Sequence, residues 1–240
     1  MLDELQKTAL ITGSSIRIGK YVTESLAMKG WKIALHYHTS EKEAYHLAKK
    51  LLPFTDVIIF QADLADANQS KHLIDQINKQ LGPVNLVINN ASIYKNDNLF
   101  NLTQDLLEKN LNIHLNSPIY LAQAMIKQEI EGNIINILDT DITKNMKNFF
   151  SYSLSKKSLY HLTKMLAFNL APSIRVNAIA LGATLFKEGQ NQNVFDQHIK
   201  DSPLQKSPKL VEVYQTVEFL LNASSITGQC IFLDGGRHLI

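Results

Sequence analysis

Cysteine is nearly missing from this chain. Cys230 is the sole one in 240 residues, so no internal disulfide can form, and an inert thiol in a reducing compartment is the expected state. Neither sign of charge is in surplus. Lysine and arginine number 24 against 22 acidic residues, interspersed along the chain, which leaves no basic stripe for nucleic acid and no charged tail for a membrane surface. Long apolar runs are absent too, and none approaches the ~20 residues of a membrane span. The stretch Met1–Lys7 carries Asp3 and Glu4 and lacks the apolar core of a signal peptide, so a cytoplasmic location is expected. No metal site is expected.

What is present is an ordinary globular inventory, 45% hydrophobic and 19% charged, enough for one domain with a sizeable core. Short apolar runs alternate with longer amphipathic segments. Strands are expected at Thr8–Thr12, Lys32–Tyr37, Asp56–Phe60, Asn85–Asn89, Asn133–Leu138, Arg175–Ala180 and Cys230–Leu233. Helices are expected at Ile18–Lys29, Glu41–Leu52, Ala67–Leu81, Leu102–Glu129, Tyr152–Leu170 and Lys209–Leu221. Such alternation implies an α/β fold of βαβ units around a parallel sheet, as a single domain over 1–240. The stretch Leu181–Pro208 is rich in Asn, Gln, Lys, Ser and Pro and reads as an irregular substrate-side lid, 181–208.

The first strand runs into Thr12-Gly-Ser-Ser-Ile-Arg-Ile-Gly19 and then a helix. Glycines at such a turn let the backbone approach a pyrophosphate seated on the helix N-terminus. Arg17 stands where a third glycine is usual, placing a charged planar fork beside phosphates. After the second strand, Leu35-His-Tyr-His-Thr-Ser40 has no acidic residue until Glu41. A site preferring NAD would carry one there for the ribose 2′-hydroxyl; His38, Thr39 and Ser40 offer donors for a 2′-phosphate instead, so NADP(H) is favoured. Asp63 suits the adenine amine, or alternatively a helix N-cap.

Tyr152 and Lys156 lie four apart on one helix face, with Asp139 thirteen residues upstream. An ammonium beside a phenol is expected to lower the phenol's pKa from its usual value of about 10. Asp139 adds a carboxylate, able to accept or relay a proton in a way no hydroxyl can.

With the glycine turn, Asn89-Asn-Ala-Ser92 and Tyr152…Lys156 in this order, the whole chain resembles the short-chain dehydrogenase/reductase family. Arg17, the Leu-His-Tyr-His segment, Asp139 in place of a serine and the closing Leu233–Leu239 are most similar to its pteridine reductase branch, the bacterial dihydromonapterin reductases in particular. The resemblance implies a Rossmann-like doubly wound parallel sheet of about seven strands with helices on both faces, NADPH as hydride donor, and a homotetramer. It implies that Asp139, Tyr152 and Lys156 are catalytic. Gly13, Ser15, Arg17, Ile18, Gly19, His38, Thr39, Ser40, Asp63, Leu64, Asn90, Ala91, Ser92, Tyr152, Lys156, Gly182 and Thr184 would line the cofactor. Arg17, Ser92, Tyr94, Asp139 and Tyr152 would meet the substrate, with Tyr94 stacking on a flat pterin. Three departures stand out. His114 occupies the place of the family's usual asparagine when Pro118 sets the alignment, Leu181-Gly182 replaces Pro-Gly, and Thr39 replaces the arginine of the protozoan enzymes.

The implied reaction is NADPH-dependent reduction of a 7,8-dihydropterin, such as dihydromonapterin, dihydrobiopterin or dihydrofolate, to its tetrahydro form. A 3-ketoacyl or other carbonyl reductase, and an NADP(H)-binding regulatory protein, remain the alternatives.

Overall fold

The protein is described from a computed structural model that covers residues 7–186 and 192–240; positions 187–191 of the expected lid lie outside the described residues. Seven strands form one sheet: β1 (Thr8–Ile11), β2 (Lys32–Tyr37), β3 (Val57–Gln61), β4 (Val84–Asn89), β5 (Gly132–Asp139), β6 (Ile174–Leu181) and β7 (Cys230–Leu233). Their order is β3-β2-β1-β4-β5-β6-β7, and every pairing is parallel. The order reverses between β1 and β4, which opens a crevice at the carboxyl ends of those two strands.

Burial explains the near-continuous apolar strands. Ala9 and Ile11 enter one core layer with Leu26, Leu47 and Val217, while Leu10 enters the opposite layer with Leu73, Ile77 and Met125. Both faces of the sheet are thus covered by helices, as parallel sheets require. The helices are α1 (Arg17–Met28), α2 (Glu41–Leu51), α3 (Ala67–Leu81), α4 (Gln104–Leu111), α5 (Ser117–Ile126), α6 (Phe150–Leu170), α7 (Gln192–Lys200) and α8 (Leu210–Asn222). The residues α1, α2 and α8 contribute fall in the first layer, and those of α3 and α5 in the second. None of these helices is long and apolar enough to cross a membrane.

Two expectations are corrected. Leu102–Glu129 is not one helix: α4 and α5 are joined by the widened π turn Asn112–Asn116. Pro118 has no N–H to give, and its ring conflicts with the carbonyl of His114 four residues back, so a regular ladder cannot run through. Nor is the stretch expected as a lid irregular throughout its described residues. It contains α7, which has no buried residue and whose Phe195 lies edge-on to Phe186 at 5.7 Å.

Candidate active site

The crevice is built from loops that share side-chain bonds. After β1 the chain turns at Gly13, φ +63, a left-handed conformation suited to glycine. The Gly13 N–H donates to His36 Nδ1 at 3.0 Å, and the other ring nitrogen donates to the Ala62 carbonyl at 3.1 Å. His36 is buried, and that burial pulls its pKa down to about 4. Asn90 donates from Nδ2 to the carbonyls of Thr12 and Gly13, at 2.8 and 3.0 Å. Its amide therefore ties the β4 loop to the glycine turn. A Cβ on Gly19 would sit 2.3 Å from the Gly13 oxygen and 2.6 Å from Asn90 Nδ2, so only glycine fits there. The N-terminus of α1 has no side-chain cap and no acidic residue in its first turn. Its amides are open to an anion, and the cradle fits a dinucleotide pyrophosphate.

Arg17 itself takes φ +55, which explains why glycine is usual at that place and costs a non-glycine residue about 1–2 kcal/mol. Its guanidinium is not at the turn's backbone. Nη1 donates to the Phe186 carbonyl at 3.1 Å and Nη2 to that of Leu185 at 2.8 Å, fastening the segment after β6 to the turn. Beside it, an opening of about 480 Å³ is lined by Ser15, Ile16, Arg17, Lys20, Lys42, Glu43 and His46.

The second half of the site lies between β5 and α6. Asp139 ends β5, and Tyr152 in the first turn of α6 donates its hydroxyl to Asp139 Oδ2 at 3.1 Å. One turn on, Lys156 Nζ donates to the Ile137 carbonyl at 2.8 Å. Buried Asp97 steadies this helix start, accepting the Ser151 N–H on both carboxylate oxygens at 3.2 Å. Burial pushes the Asp139 carboxyl up, and Asp141 adds to it against the hydrogen bonds from Asp141 N–H and Tyr152. Lys156 is drawn down by burial to about 8.

The expected acid shift of Tyr152 is reversed. Burial and the neighbouring Asp139 hold its phenol well above 10. The lysine is turned to Ile137 O, with Nζ 5.9 Å from the tyrosine ring centre, so its charge does not offset the desolvation. A protonated phenol hydrogen-bonded to a carboxylate is equipped to give a proton, not to take one.

Tyr94 enters this cleft, stacked on Phe149 at 4.1 Å and edge-on to Tyr152 at 4.8 Å. Phe149 is held at φ +55, a sparsely populated region for an aromatic residue. The cleft, with a cavity volume of only about 10 Å³ in this closed arrangement, is lined by Tyr94, Asp139, Asp141, Ile142, Met146, Phe149, Tyr152, Ser153 and Lys156. A ring slipped between Tyr94 and Phe149 would have to part them to about 7 Å, two aromatic contact distances.

The remaining expected residues fall as follows. Ser15 is buried and Ile18 packs against the core, both beside the turn. His38 and Thr39 are exposed and Ser40 precedes α2; His38 Nε2 lies 3.8 Å from Asp63 Oδ2. Asp63 Oδ1 accepts the Ala65 N–H at 2.9 Å, and the N-cap of α3 is Asp66 rather than Asp63. Leu64 is buried in the core. Ala91 packs against Gly13. A Cβ on Gly182 would stand 2.9 Å from Asp234 Cα, so this glycine serves close strand packing; Thr184 Oγ1 donates back to the Gly182 carbonyl at 2.9 Å. Ser92 is exposed and bonded to His114 Nε2 at 2.9 Å. Lys20, Lys42, His46, Asp141, Met146 and Phe149 were not anticipated. For Lys42 and His46 a signal existed, since four-residue spacing places them on one face of α2.

Comparison with known proteins identifies the family. The family model described as enoyl-(acyl carrier protein) reductase matches residues 14–238. The 3-oxoacyl-[acyl-carrier-protein] reductase FabG of Staphylococcus epidermidis is 30% identical over 247 residues, covering 98% of this chain and all of its own length. Dihydromonapterin reductase of Shigella boydii is 28% identical, with 96% of each chain covered. Among solved structures, FolM alternative dihydrofolate reductase 1 from Brucella suis, in complex with NADP, superposes with a TM-score of 0.92 at 38% identity, covering 98% of this chain and 96% of its own. The chain belongs to the short-chain dehydrogenase/reductase family and is an oxidoreductase.

Proposed function

We propose that this protein reduces a 7,8-dihydropterin to the tetrahydropterin with NADPH. The observation that carries the reading is the Tyr152–Asp139 hydrogen bond of 3.1 Å, in a narrow cleft that also presents the aromatic face of Tyr94. When bound, NADPH supplies the hydride that reduces the C6=N5 bond. The chain supplies the proton. Tyr152, kept protonated by burial and by Asp139, is the donor to N5, and a positioned acid of this kind is worth on the order of 10²–10⁴ in rate. The raised Asp139 carboxyl recharges the phenol or pairs with the amino and ring N–H groups of the pterin, which a simple ketone lacks. Lys156 holds the nicotinamide ribose, and the cradle of Gly13, Gly19 and the α1 amides holds the pyrophosphate. Lys20 and Lys42, which line the opening beside Arg17, would meet a 2′-phosphate in the absence of an arginine at Thr39.

Residues 181–208 serve as the substrate-side lid of a single domain, fastened at its base by Arg17. A homotetramer fits the exposed apolar side chains of α6, with Phe168 85% and Met165 62% exposed. The second reading, a 3-ketoacyl reductase, is favoured by the identity to FabG. One assay separates them: dihydromonapterin, dihydrobiopterin, dihydrofolate and an acetoacetyl thioester, each with NADPH. Dihydropterins should turn over fastest, and preferential use of the thioester would replace the pterin reading with the ketoacyl one.

A further inference from the structure

The buried imidazole of His114 sits in the π turn Asn112–Asn116, 5.6 Å from the Tyr152 ring in an edge-on arrangement. It bridges two serines that belong to different elements beside the site. Nδ1 lies 2.8 Å from Ser155 Oγ on α6, and Nε2 lies 2.9 Å from Ser92 Oγ in the β4 loop. The proton positions follow by counting donors. Ser155 Oγ is 2.7 Å from the Tyr152 carbonyl, an atom that can only accept, so the single Ser155 proton lies on that contact. Ser155 Oγ can then only accept from the imidazole, which makes Nδ1 the protonated nitrogen. Burial and the charge of Lys156 keep the ring neutral, its pKa well below the usual 6.5. Nε2 is therefore bare and takes the Ser92 hydroxyl proton.

We infer that His114 is a positioning residue that fixes the Ser92 hydroxyl with its proton turned inward, so that the exposed side of Ser92 offers a bound ligand lone pairs alone. A Ser92 oriented in this way accepts a hydrogen bond from a ligand N–H and gives none. It selects an amino-bearing heterocycle or a carboxamide and gains nothing from a ketone oxygen. In place of a hydroxyl that rotates to suit whatever arrives, the site has an acceptor of set direction. His36 provides an internal contrast. It accepts on Nδ1 from Gly13 and donates from Nε2 to Ala62, the opposite tautomer.

Nitrogen-15 histidine NMR of the full-length protein tests the tautomer directly. Two buried imidazoles should stay neutral from pH 8 to 5, one protonated on Nδ1 (His114) and one on Nε2 (His36). Ser92→Ala, at an exposed position, should shift the bare-nitrogen signal of the first and leave the second unmoved, which assigns it even where a His114 variant fails to fold. A cationic ring, or a Ser92-sensitive imidazole protonated on Nε2, overturns the inference. Kinetics then separates positioning from packing. His114→Gln places an amide oxygen where Nε2 was and can take the Ser92 proton; His114→Asn is too short. Relative to wild type, Ser92→Ala and His114→Asn should raise KM for NADPH or for 7,8-dihydrobiopterin about three- to tenfold, the worth of one hydrogen bond, and His114→Gln should restore most of it. Equal losses in the Asn and Gln variants, or no rise in either KM, refute the role. Only the choice of dihydrobiopterin as probe rests on the reductase reading above. An Nδ1-protonated His114 in a protein that turns over no pterin would sink that reading and leave this one standing.

Discussion

Acid should loosen the nucleotide turn through one imidazole, that of His36. The ring is neutral because it is buried, accepting the Gly13 N–H and donating to Ala62 O. A second proton would set N–H against N–H and strip the glycine turn of its acceptor. Its folded pKa is about 4, against about 6.5 in an unfolded chain. Below pH 6.5 the unfolded state therefore takes up a proton that the folded state refuses. The stability is full above about 6.5, falls as pH drops toward 4, and falls no further from this group once both states are protonated. Each pH unit in that window costs about 1.36 kcal/mol, about 3 kcal/mol in all. Other groups titrate over the same range, so the informative quantity is the gap between wild type and His36→Gln, which cannot titrate but keeps a donor for Ala62. Urea unfolding at one protein concentration should show that gap shrinking by about 2 kcal/mol between pH 7.5 and pH 5. A gap unchanged with pH would mean that His36 is not a neutral, buried acceptor, and the account of the turn would be wrong.

Asp139→Ser should lower kcat/KM for a dihydropterin about a hundredfold while NADPH affinity, measured by fluorescence titration, stays within about threefold; equal activity would remove the carboxylate from the chemistry. Lys42→Ala should raise KM for NADPH about tenfold, the worth of a charge-assisted contact, and leave KM for NADH unchanged, with a smaller salt dependence than wild type. A parallel rise in both would place Lys42 away from the 2′-phosphate. Gly19→Ala would put a methyl 2.3 Å from the Gly13 oxygen, so the turn must shift. Calorimetry should show a loss of about 1–3 kcal/mol together with weakened NADPH binding, and wild-type affinity in a stable variant would show that the turn is looser than its geometry implies.

The strands were readable in the sequence to within a residue or so, because a sheet buried on both faces needs unbroken apolar runs and the runs between glycines and helices have nowhere else to go. Asp139, Tyr152 and Lys156 were readable as one cleft, since helix periodicity and the end of β5 suffice to bring them together. The direction of the Tyr152 shift was not. The charge of Lys156 is visible in the sequence, but the cost of desolvation is visible only once burial is known, and here desolvation is the larger effect. The same limit applies to Asn90 and Arg17. Both hold side-chain donors that a bound phosphate or ribose would accept from, yet the fold turns them to backbone carbonyls of neighbouring loops. The break at Asn112–Asn116 had a signal in Pro118, but a helix pattern continuing on both sides concealed it. The helix α7 had a signal in the helical spacing of Val194, Phe195 and Ile199, but it buries no residue and the polar composition around it is that of a loop.

One seam sets the geometry of Asp139, Tyr152 and Lys156. The chain of β5 rises to Asp139, and α6 returns antiparallel along it. Three side chains of the helix meet the strand in succession: Tyr152 at Asp139, Lys156 at the Ile137 carbonyl and Thr163, whose hydroxyl accepts from Asn136 Nδ2 at 2.9 Å. Asn136 is itself held by Asn89 Nδ2 at 2.7 Å, so the ladder continues into β4, the strand that delivers Ser92 and Tyr94. Asp139, Tyr152 and Lys156 are thus fixed by rigid elements, while Tyr94, Phe149 and the turn before α1 are carried by loops. A reductase needs its proton donor within hydrogen-bond reach of the reduced atom yet must admit substrate and release product. Placing the chemistry on a strand–helix seam and the access on loops satisfies both demands. Mutations along the seam should therefore change kcat, whereas those at the Arg17–Leu185 contact should change substrate entry and leave the chemical step alone.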